Sequence, residues 1–119
     1  MTDHYILVDR QPVAVDLEAW AHWFETADRH VAWTEHELFT VSTVFLGLDH
    51  GFGRKGPPVL FETMAFHPET RTELDGDSCW RYSGWDDAEI GHKAMVRKLV
   101  EQARKAREIT LSQGGEGHD

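Results

Sequence analysis

Between residues 38 and 66 the apolar pattern runs at a period of two, and this stretch constrains the fold more than any other. Leu38–Leu46 and Val59–Phe66 read as strands joined by a Gly/Pro-rich connection, Gly47–Pro58. In the first, Phe39, Val41, Thr43 and Phe45 share one side, and Leu38, Thr40, Ser42, Val44 and Leu46 share the other. Both sides are apolar or hydroxylated, which predicts a central strand. In the second, Leu60, Glu62, Met64 and Phe66 oppose Val59, Phe61, Thr63 and Ala65. His67-Pro68 ends it. Cys79–Tyr82, after an acidic turn containing Asp75-Gly76, predicts a third strand and an antiparallel meander.

The flanking segments switch to helical spacing. Asp16 is placed to cap a helix, and Leu17, Trp20, Phe24, Ala27 and Val31 follow at three-four intervals, with Trp23 and His30 beside that stripe. Tyr5–Val8 predicts an edge strand or an extended lead-in, because Pro12 follows closely. Ser83-Gly84-Trp85-Asp86 loosely matches a capping box, with Ser83 as acceptor. From there Trp85, Ala88, His92, Met95, Leu99, Ala103 and Ala106 form a second stripe. Carried to Ile109, that helix spans roughly 40 Å, more than the width of a compact domain of this length, so its end is expected to project or to dock on another subunit. The expected fold is α+β: a three- to four-stranded antiparallel sheet with two helices on one face, as a single domain over 1–111 and a disordered polar tail over 112–119.

Composition narrows the class. The formal net charge of −9 opposes broad attachment to nucleic acid, which needs cations to neutralise phosphates. The charge is also segregated. Glu69, Glu73, Asp75, Asp77, Asp86, Asp87 and Glu89 crowd one region, and Lys93, Arg97, Lys98, Arg104, Lys105 and Arg107 the next. Cys79 is the sole cysteine, and no stretch reads as a signal peptide or reaches the roughly 18 apolar residues of a membrane span. A cytoplasmic protein without membrane contact is expected.

Few motifs carry chemistry. Gly51-Phe52-Gly53-Arg54-Lys55-Gly56 matches G-x-G-x-x-G, and its amides with Arg54 and Lys55 could cradle a phosphate while Phe52 or Trp80 stacks a base. A dinucleotide fingerprint needs a helix after the glycines; here Pro57-Pro58 and a strand follow, which favours a hairpin loop. Scattered His36, His50, His67 and His92 lack metal-ligand spacing, so no metal and no cofactor is expected. Glu62 calls for a partner, and Arg81 on the next strand is the natural one. The same carboxylate with Asp49 and His50 gives a hydrolase alternative. His92 reads as a hydrogen-bonded core histidine, Cys79 as a small buried hydrophobe, and neither Ser42 nor Ser83 sits on a nucleophile elbow. Trp23 and the basic helix residues Arg97, Arg104 and Arg107 are the candidate partner contacts.

Val41-Ser42-Thr43-Val44-Phe45-Leu46-Gly47-Leu48-Asp49-His50, then Pro58-Val59-Leu60-Phe61-Glu62-Thr63-Met64, resembles a family of small proteins encoded by phages and prophages. Residues 20–29 (WAHWFETADR) and 80–92 (WRYSGWDDAEIGH) are similar to its flanking blocks, so the likeness spans roughly 5–100. This chain departs from the family at Arg54-Lys55 and in its lengthened basic helix end. The resemblance implies context rather than mechanism: an accessory phage protein acting inside a bacterial host. The leading expectation is therefore a non-enzymatic binder, self-associated into a homo-oligomer, that modulates a host process or host defence by contacting a host protein. The alternative is a binder of a nucleotide-like small molecule through residues 51–56, with Asp49, His50, Phe52, Arg54, Lys55, Glu62, Trp80 and Arg81 as candidate ligand contacts. An acidic DNA mimic is disfavoured by the basic helix alongside.

Overall fold

The structure, a computed structural model, describes residues 3–116, with side chains through residue 112. Its elements run β1 (Tyr5–Val8), β2 (Gln11–Ala14), α1 (Leu17–Thr26), β3 (His30–Glu35), β4 (Thr40–Phe45), β5 (Phe61–Phe66), β6 (Cys79–Tyr82) and α2 (Trp85–Glu116). β3-β4-β5-β6 form a four-stranded antiparallel sheet, and β1-β2 a separate hairpin. The α+β architecture, the meander and the long last helix are as the period changes predict.

Alternation on the central strands decides where the core lies. Val41, Thr43 and Phe45 of β4 and Phe61, Thr63 and Ala65 of β5 are fully buried, whereas Ser42, Val44, Glu62, Met64 and Phe66 are only half-buried. α2 covers the first face, laying Ala88, His92, Met95 and Leu99 along it. Among the described residues no helix lies over the other face. α1 and the β1-β2 hairpin close the end of the core on the α2 side, where Trp23 meets Phe45 edge-on at 5.8 Å and Tyr5 and Leu7 pack on the same cluster. Burying each large side chain there contributes about 1.5–3 kcal/mol.

Three expectations need correction. The first helix stops at Thr26, and Val31 lies in β3. Asp28 breaks it by accepting from the His30 amide at 3.0 Å, after which residues 30–35 pair with β4. Asp16 does cap the helix, accepting from the Ala19 amide at 2.8 Å. Tyr5–Val8 is an edge strand, as expected, and pairs with Gln11–Ala14, where Pro12 stands across from Leu7 and its missing amide is tolerated. The connecting Asp9 and Arg10 both take positive φ, 49° and 69°, the signature of a type I′ hairpin without its usual glycine. At α2, the Gly84 carbonyl accepts from the Ala88 amide, so the cap lies one residue past Ser83. Cys79, expected to be buried, is half-buried on the open face.

α2 leaves the body after Leu99, its last buried residue, and continues to Glu116. Residues 100–116 thus form an arm about 25 Å long. The chain measures 69 × 30 × 22 Å with a radius of gyration of 18.4 Å, against about 13.5 Å for a compact chain of this length. The tail expected over 112–119 falls on the end of this helix and on residues 117–119, which lie outside the described residues. No helix is long and apolar enough to cross a membrane among the described residues.

Candidate functional site

The β4-β5 connection is built by backbone pairing and one carboxylate. Leu46 N–H donates to the Leu60 carbonyl at 2.7 Å and His50 N–H to the Val59 carbonyl at 2.8 Å, extending the ladder past both strands. Asp49 Oδ1 accepts from the Gly51 amide at 2.7 Å and the Val59 amide at 2.9 Å. Asp49 therefore staples the loop shut and has its oxygen spent on structure. A Cβ at Gly51 would stand 2.9 Å from that oxygen, so a larger residue there would displace the Asp49 carboxylate from its two amides. Gly47, with φ of 78°, turns the chain beneath Trp20 and Phe24.

Beyond the staple, the loop lies beside β6 and borders an open cavity of about 620 Å³ lined by His50, Gly51, Phe52, Arg54, Val59, Cys79 and Arg81. Four of the eight expected ligand contacts, His50, Phe52, Arg54 and Arg81, thus meet in one place. Lys55 lines an adjoining cavity that shares Arg54, Val59 and Arg81. Trp80 is not among them. Its neighbour Arg81 faces the open side, so alternation sends Trp80 to the α2 side, where Lys98 lies over its ring at 5.1 Å and its indole N–H donates to Asp77.

Glu62 and Arg81 pair across β5 and β6 as expected, Nε to Oε2 at 2.9 Å. The pair sits on the open face and not in the core. Glu62 exposes 14 % of its side chain and Arg81 46 %, so the bridge is a partly solvated contact. The Cys79 thiol is pushed up from its ordinary pKa, first by burial and next by the Glu62 carboxylate, which keeps it protonated and unreactive. His50 Nδ1 lies 2.9 Å from the Leu48 carbonyl, which can only accept, so Nδ1 donates there and Nε2 is left without that contact. The three residues of the hydrolase alternative are each held by a different partner, and Glu62 does not line the His50 cavity.

His92 is buried under the sheet, as expected, with Nε2 2.8 Å from Thr34 Oγ1 and Nδ1 2.8 Å from Thr43 Oγ1, itself 2.6 Å from Thr63 Oγ1. Burial holds its pKa below the ordinary 6.5, so it stays neutral. This chain of hydroxyls and imidazole ties α2 to β3, β4 and β5.

The candidate partner residues divide. Trp23 belongs to the core edge, and Arg104 is bridged along the helix to Glu101 and Glu108. Arg97 and Arg107 are exposed. With Lys93, Val100, Arg104 and Leu111 they repeat at four-three spacing and make one line along α2, opposite the buried stripe. Among the described residues no group of three or more His, Cys, Asp or Glu is placed to hold a metal ion.

Cys79 and Val59 were not singled out as lining residues from sequence. Period two in β6 puts Cys79 beside Arg81 on the Glu62 face, which was the available signal. No family model, curated protein or solved structure matches the chain.

Proposed function

We propose that this chain is a non-enzymatic binder, a phage-derived accessory protein that contacts a host protein in the bacterial cytoplasm and so modulates a host process or defence. The observation that carries the reading is the α2 arm. α2 continues past its last buried residue, and an exposed line that starts on the body at Lys93 and Arg97 runs out along the arm through Val100, Arg104, Arg107 and Leu111. Val100 at 43 % and Leu111 at 66 % exposed are apolar points within a cationic stripe, a pattern suited to an acidic protein surface. The phage setting rests on the resemblance of the sequence blocks alone. Self-association, also part of this reading, would use the opposite line through Ala103 and Ala106, because pairing the basic stripes sets like charges together.

Affinity capture from bacterial lysate tests it. Wild-type protein is expected to retain a defined host protein, and Arg97→Glu with Arg107→Glu to lose it by tenfold or more, about 1.4 kcal/mol. Equal capture by the two forms would refute the assignment of the stripe.

A further inference from the structure

The cavity beside β6 lies away from the arm's basic stripe and belongs to a different activity. We propose that it binds a small phosphate-bearing molecule with a planar ring, of mononucleotide size and chemistry.

Two guanidinium groups converge there. No described hydrogen bond or ion pair engages the Arg54 side chain, and Arg81 gives only its Nε to Glu62 at 2.9 Å, leaving its Nη donors free. A guanidinium presents donors in a planar fork that matches phosphate oxygens, so Arg54 and the Nη donors of Arg81 can hold one phosphate by charge-assisted hydrogen bonds, with Glu62 offsetting part of the Arg81 charge. In a chain of net charge −9 such a cluster does not serve long-range attraction of anions. It serves recognition at contact.

The remaining walls specify what the anion carries. Phe52 is 81 % exposed and held at φ of 50°, an uncommon conformation for an aromatic residue, with its ring 5.6 Å from that of His50. It offers a flat apolar surface for a base, and Val59 supplies an apolar wall. His50, whose Nδ1 is held by the Leu48 carbonyl, keeps its Nε2 for a polar contact with a sugar hydroxyl. A volume of about 620 Å³ lies within the range of small-molecule sites. Lys55, which lines only the adjoining cavity, is not part of this recognition.

Calorimetric titration of the full chain with each common ribonucleoside 5′-monophosphate, with inorganic phosphate and with the free nucleosides tests the proposal. At least one monophosphate is expected to bind once per chain and more tightly than phosphate or its nucleoside. Arg54→Ala should weaken it about tenfold or more, the loss of a charge-assisted contact, while Lys55→Ala leaves it within about twofold. Phe52→Ala should weaken the nucleotide and spare phosphate. Both Arg54 and Phe52 are exposed loop residues, so these variants retain the fold. The proposal is overturned if no monophosphate binds up to about 1 mM, if Arg54→Ala and Lys55→Ala lose affinity equally, or if phosphate binds as well as every nucleotide.

Discussion

His92 shows how one buried polar residue sets both registration and a pH response. Its two ring nitrogens are taken by Thr34 and Thr43, so the imidazole is satisfied while neutral and has no carboxylate beside it to stabilise a charge. Burial lowers its folded pKa below 6.5. The unfolded chain therefore binds the extra proton more readily, and the stability gained from neutral His92 is complete above about pH 6.5 and lost as pH falls below it. Urea unfolding at pH 7.5 and pH 5 should show a lower midpoint at the acidic value. His92→Gln, which does not titrate there, should flatten the difference; an unchanged slope would mean that other groups carry it.

At the scale of elements, α2 is fixed to the sheet by close approach as much as by its apolar stripe. A Cβ on Gly91 would stand 2.0 Å from the Tyr82 hydroxyl, so β6 and the helix meet where only glycine fits. Gly91→Ala should destabilise by about 1–3 kcal/mol in denaturant titration, although alanine is the better helix former by about 1 kcal/mol. Stabilisation would show that the contact relaxes freely. The strands β4, β5 and β6 were legible because their period of two is uninterrupted, and Glu62 with Arg81 followed from that register. β2 and β3 were not. β2 contains Pro12 and turns through Asp9-Arg10 without glycine, and β3, which begins at His30, includes Val31, a residue that also completes a helical spacing from Ala27. The Asp28 side chain settles the second ambiguity by a local bond that periodicity does not encode. The cavity was half legible: the loop named His50, Phe52 and Arg54, but Asp49 and Trp80 were drawn away by partners that only the fold supplies.

The whole molecule is a compact body with an arm. The body satisfies its own core through Leu99, and residues beyond it add length rather than burial. Ending the chain after Glu101 should therefore leave the unfolding temperature within about 3 °C while abolishing capture of the host protein. A large drop in stability would place the arm among the folding contacts. The central claim, that the arm is the contact element, is tested most directly by amide hydrogen exchange of the free protein against the complex recovered from bacterial lysate. The account predicts fast exchange over residues 100–116 in the free chain and clear slowing there in the complex, with β4 and β5 unchanged. Protection confined to the sheet or to the loop over residues 47–58, with the arm exchanging as before, would contradict it.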